Sequence, residues 1–110
     1  IMISFEVSNL TQDDIKFCKR NCPLEGKFIK DYFEVKDEGG NKLEYVGESF
    51  QRMPPTDIEY INLGGMQKVV REIDLKKGYK IEKPGKYTIK FKGDKVNTLP
   101  DSEEITIEIQ

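Results

Sequence analysis

Apolar and polar positions alternate along much of the chain with a period of two. Ile3, Phe5 and Val7 interleave with Ser4, Glu6 and Ser8; Tyr87, Ile89 and Phe91 interleave with Lys86, Thr88, Lys90 and Lys92. Near the end, Ile105, Ile107 and Ile109 alternate with Thr106 and Glu108. Successive side chains of a strand point to opposite faces, so each run predicts a strand with one buried and one wetted face. Shorter runs of the same kind occupy positions 15–19, 32–36, 43–46, 58–63 and 69–73. About eight strands, spaced roughly ten residues apart, predict an all-β fold built as an immunoglobulin-like antiparallel sandwich.

Turn chemistry separates the runs. "DEGGN" (37–41) and "LGG" (63–65) read as hairpin turns, because glycine and asparagine accept positive φ. "KPG" (83–85) reads as a tight turn opening a strand. "TQDD" (11–14) has the residues of a helix capping box, but Ile15 and Phe17 follow two apart, which favours a strand. The one helical candidate is a single turn within "DLKKGY" (74–79). Tyr87, in "PGKY", stands where such sandwiches carry a tyrosine corner, its hydroxyl bonded back to nearby backbone.

Length places the whole chain, 110 residues, in a single domain. A domain of this size buries roughly two-thirds of its unfolded surface without needing a metal. Charged residues make up 35% of the chain, yet they alternate with β-branched and aromatic residues, as on a solvated sheet face. Eighteen basic and 20 acidic residues nearly balance, at a net charge of −2, which argues against nucleic-acid and anionic-membrane partners. No apolar run is long enough to insert in a membrane. The stretch 76–95 holds eight lysines with Tyr79, Tyr87 and Phe91 among them. Alternation puts Tyr87 and Phe91 opposite Lys86, Lys90 and Lys92, so cations and rings cannot share a nucleic-acid surface. The lysines read instead as a wet face that discourages edge pairing.

Histidine is absent, which removes imidazole-activated nucleophiles and most zinc sites. No phosphate loop or calcium loop is present, and the acidic pairs fall at turns and strand ends. The chain is therefore expected to be non-catalytic and to need no cofactor or metal. Cys18 and Cys22, in "CKRNCP", admit three readings: a short disulfide, two free thiols, or two ligands of an incomplete metal site. Alternation places Cys18 away from Phe17 and off the core, and the disulfide is the favoured reading. "NLT" makes Asn9 a candidate glycosylation acceptor if the protein is secreted. "RMPPT" must leave the sheet, since Pro54 and Pro55 cannot donate to a ladder, and Met53 is held extended by the proline after it. A stiff, extended segment loses little entropy on contact with a partner.

Several motifs recur in a recognisable order. They are "PLEG" (23–26), "YVG" (45–47), "RMPPTDIEY" (52–60), "LGG" (63–65), "DLKKGYKI" (74–81) and "PGKYTIKF" (84–91). The set resembles the amino-terminal pro-domain of deuterolysin-like and peptidyl-lysine metalloendopeptidases, over about residues 3–93. The cysteine pair departs from that pattern. The resemblance implies an immunoglobulin-like sandwich that assists folding of a metalloprotease and covers its cleft. It also implies a secreted or extracytoplasmic protein whose signal segment lies outside this chain. Phe28, Arg52, Met53, Pro54 and Pro55 are the expected contacts with the protease partner. The alternative is an adhesion or spacer module of a secreted or surface protein.

Overall fold

The computed structural model describes residues 1–49 and 51–110. The alternating runs form seven strands: β1 (Met2–Ser8), β2 (Ile15–Cys18), β3 (Phe33–Lys36), β4 (Tyr60–Leu63), β5 (Lys68–Asp74), β6 (Gly85–Phe91) and β7 (Ile105–Ile109). All pairings are antiparallel, and the strands make three small sheets ordered β1-β5, β2-β4 and β3-β6-β7. The fold is all-β. Among the described residues, its only helical pieces are 3-10 turns at Pro23–Glu25, Asp57–Glu59 and Leu75–Lys77. The last is the helical turn expected from "DLKKGY", and the Asp74 carboxylate caps it by accepting the Lys76 N–H.

Alternation was converted into burial as expected. Along β6, Tyr87, Ile89 and Phe91 are buried, while Lys86 is exposed between Gly85 and Tyr87. The Tyr87 hydroxyl donates to the Lys83 carbonyl at 2.5 Å, which is the corner contact read from "PGKY". One core gathers these inner faces, with Phe17, Val35, Leu63, Ile73, Leu75, Tyr79, Ile81 and Phe91 all buried. Burial of each such side chain contributes about 1.5–3 kcal/mol. The body measures 43 × 31 × 19 Å.

Four expectations are corrected. Residues 43–46 form no strand; Lys42 and Tyr45 make isolated bridges to Lys36 and Tyr79, because Tyr45 turns its ring into an aromatic cluster. Positions 58–59 lie in a 3-10 turn, and the strand begins at Tyr60. The glycines at 64 and 65 do not close a hairpin, since β4 pairs with β2 and β5 with β1; the turn carries the chain between sheets. Strand β6 is central rather than an edge, so its lysines line a wet face without guarding an open ladder.

Candidate functional site

The proline segment departs from β-geometry where its sequence required, and residues 51–56 carry no regular structure. Side chains of one neighbouring segment, residues 20–25, hold it, and Glu59, Asp94 and Asn97 brace that segment in turn. Arg20, just past the end of β2, donates from Nη1 to the Met53 carbonyl at 2.5 Å. The same guanidinium grips the Glu59 carboxylate in a fork, through Nε to Oε2 and through Nη2 to Oε1 at 2.8 Å. Planar two-point pairing of this kind fixes orientation as well as distance. The Arg20 hydrogen bond holds the Glu59 carboxyl below its ordinary pKa, and Glu59 in turn raises that of Arg20.

Arg52 makes a second fork. Its Nη1 and Nη2 reach Glu25 at 2.5 and 3.2 Å, and Nη2 also donates to Asn21 Oδ1 at 3.1 Å. Asn21 adopts φ 59°, a left-handed geometry that asparagine tolerates better than most residues. Its backbone N–H donates to Glu25 Oε1 at 2.6 Å, and its side-chain amide donates to Asp94 Oδ2 at 2.8 Å. Asn97, fully buried, ties this corner down by donating to the carbonyls of Arg20 and Asn21. Burial opposes ionisation of Asp94, but the N–H groups of Asn97 and Val96 and the Asn21 amide outweigh it. Its carboxyl therefore lies below the ordinary value.

The outcome is a rigid loop with an apolar tip. Met53 is 81% exposed and Ile58 86%, with Pro54 also exposed. Beside the tip lies an open hollow of about 600 Å³, bordered by Arg20, Ile29, Arg52, Pro55 and Val96. Arg20, Arg52 and Lys30 are offset by Glu59, Glu25 and Asp94, so the border carries fixed dipoles and little net charge. Such a surface can be covered by another protein; it offers no activated nucleophile. Among the described residues, no group of three or more Cys, Asp or Glu side chains gathers to hold a metal ion. Among them also, no helix is long and apolar enough to cross a membrane.

Arg52, Met53, Pro54 and Pro55 border the hollow as one continuous segment, whereas Phe28 lies in the core. It is 4% exposed, stacked on Tyr32 at 5.3 Å and edge-on to Tyr79 at 5.7 Å. The backbone at Gly78 runs so close that a Cβ there would sit 2.7 Å from the Phe28 ring. Pro23 and Leu24, in the adjoining 3-10 turn, are buried as well. Phe28 is a core residue because two glycines, Gly47 and Gly78, leave it room to enter.

Two modification readings are also corrected. Cys18 and Cys22 are free thiols, both buried; Cys22 belongs to the core cluster with Phe17, whereas Cys18 is covered without joining it. The β2-β4 register runs unbroken through Phe17–Ile61 and Cys18–Tyr60, so the two side chains take opposite faces and both faces are covered at this end of β2. Cys22 donates its thiol hydrogen to the Lys19 carbonyl at 3.1 Å, and burial pushes its pKa up to about 12. A thiol held neutral there is a poor nucleophile. Asn9 is 2% exposed, and its amide nitrogen donates to the carbonyls of Asp13, Leu63 and Gly64 at 2.7, 3.1 and 3.1 Å. That nitrogen is committed to fastening two turns together and is closed to a glycan in the folded protein.

The clamps themselves were not visible in the sequence. Arg20 and Glu59 are 39 positions apart, and only the β2-β4 register, pairing Cys18 with Tyr60, brings the two strand ends side by side. Compared with known proteins, the chain matches no family model and no curated relative.

Proposed function

We propose that the chain is a non-catalytic protein-binding module, and that the exposed tip formed by Met53, Pro54 and Pro55 is its contact with a protease whose cleft it covers. The observation that carries the binding reading is the double clamp. Two arginines hold an extended, proline-stiffened segment while Met53 stays 81% exposed. Ordering that segment in advance removes most of the entropy its immobilisation would otherwise cost on association. The protease class rests on the ordered motifs shared with metalloendopeptidase pro-domains, and an immunoglobulin-like sandwich belongs to the same reading. The mechanism is steric: an extended backbone occupies the substrate path without presenting a group that can be turned over.

The test is hydrolysis by a peptidyl-lysine metalloendopeptidase, titrated with the domain and with its Met53→Asp variant. Inhibition at micromolar domain, lost in Met53→Asp, is expected. Hydrolysis unchanged by the wild-type domain overturns the protease reading and leaves the adhesion or spacer role in its place.

A further inference from the structure

Among the described residues, the seven-residue strands β1 and β5 each keep one edge unpaired, and that of β1 lies remote in sequence from the proline loop. The register of β1 with β5 matches Ile3 to Ile73 and Phe5 to Arg71. Just outside the strand, Asn9 N–H donates to the Gln67 carbonyl and the Ile1 carbonyl accepts from Leu75 N–H. In an antiparallel pair, hydrogen-bonded and non-hydrogen-bonded positions alternate. Odd-numbered residues of β1 therefore bond to β5, and the backbone groups of Met2, Ser4, Glu6 and Ser8 point away from it. Among the described residues, β1 has no second partner strand.

A groove runs along that edge. Two adjoining hollows, of about 700 and 180 Å³, follow β1 from Ile3 to Ser8 and share Phe5, Glu6, Phe91 and Ser102. The floor is apolar, with the Phe5 and Phe91 rings edge to face at 4.9 Å. The rim is acidic. Glu6 and Glu103 border the larger hollow, and Asp101 the smaller. Glu103 and Glu104 are exposed, and neither has an ion-pair partner among the described residues. Glu6 and Asp101 meet one lysine each, at 3.5 and 3.0 Å.

We propose that this groove receives an extended segment of a partner protein in which apolar and basic residues alternate. Its backbone would pair with the outward N–H and C=O groups of Ser4 and Glu6, adding a strand to the β1-β5 sheet. Alternate apolar side chains fall on Phe5 and Ile105, and the intervening lysines or arginines meet Glu6 and Glu103. The acidic rim selects against acidic strands, because like charges facing each other across a ladder repel. The proposal is independent of the proline loop, and either can fail without the other.

Hydrogen exchange followed by NMR reads the proposal directly. The probe is a synthetic peptide of alternating valine and lysine, as long as β1. In the free protein the amides of Ile3, Phe5 and Val7 are expected to be protected, and those of Ser4 and Glu6 to exchange fast. Adding the peptide should protect Ser4 and Glu6, while a valine–glutamate peptide should not. The double variant Glu6→Lys/Glu103→Lys, altered only on the surface, should bind the lysine peptide about tenfold more weakly. Absence of binding overturns the proposal, as does binding that leaves Ser4 and Glu6 unprotected. Protection of Ser4 and Glu6 by self-association of the free protein also overturns it, in favour of a second copy of this chain.

Discussion

Phe28 and Met53 look alike in the sequence, each an apolar residue in an irregular stretch near a proline, yet the structure treats them oppositely. Phe28 is 4% exposed inside a ring cluster with Tyr32, Tyr45 and Tyr79; Met53 is 81% exposed at the tip of a clamped loop. The aromatic region is held by packing, with the Tyr79 hydroxyl accepting the Phe33 N–H at 2.8 Å and donating to Asp31 at 2.6 Å. The loop region is held by charge-assisted hydrogen bonds at its base and leaves its apolar tip unused. One region spends its apolar surface on stability, and the other leaves it exposed.

Substitution should separate the two regions cleanly. Phe28→Ala removes a fully enclosed ring and is expected to destabilise the fold by about 3–5 kcal/mol, measured by urea denaturation. A cost under about 1 kcal/mol would show that the cluster repacks freely and that the contrast with Met53 is weak. Tyr79→Phe keeps the ring but strands the Phe33 N–H and the Asp31 carboxylate. It should cost about 1–3 kcal/mol in the same assay.

The base of the loop carries a pH signature on the acid side. The folded pKa of Asp94 is depressed below its ordinary value near 3.8. Its contribution is therefore complete above that value and is lost as pH falls through the folded pKa. Thermal melts across the acid range should show a limb below pH 4 that flattens in Asp94→Asn; an unchanged limb would remove Asp94 from the account.

The smallest effect on stability is expected at Met53. Met53→Ala should move the unfolding free energy by no more than about 0.5 kcal/mol while weakening association with the partner. Arg20→Ala sharpens this further. It leaves Met53 in place but frees its carbonyl, so partner affinity should fall through loss of ordering, seen as a less favourable binding entropy in calorimetry.

Face alternation made the strands legible. Each of the three long runs became a strand, and Tyr87 found its corner, because these features depend on residues within a few positions of one another. The turn at 37–41 belongs to the same class: Asp37 accepts from Gly39 N–H and Asn41 N–H, and Gly40 takes φ 81°. The prolines at 54 and 55 were legible too, since a missing N–H excludes them from a ladder in any fold. Phe28 and Asn9 were misplaced, and the covering of Cys18 was missed, for the opposite reason. Whether a side chain in an irregular stretch is covered depends on which distant segment lies over it. For Phe28 that segment is the backbone at Gly47 and Gly78; for Asn9 it is the turn at Leu63 and Gly64.

By itself, then, the sequence settled an all-β chain, the faces of its long strands, its self-contained turns and the exit of the proline segment from the sheet. Those outcomes follow from backbone geometry and side-chain period, which act locally. Tertiary structure alone decided that Arg20 meets Glu59, that Arg52 meets Glu25, and that β1 keeps an edge open beside an acidic rim. Ion pairs and free edges are relations between segments far apart in the chain, and they come into being only when the sheets assemble.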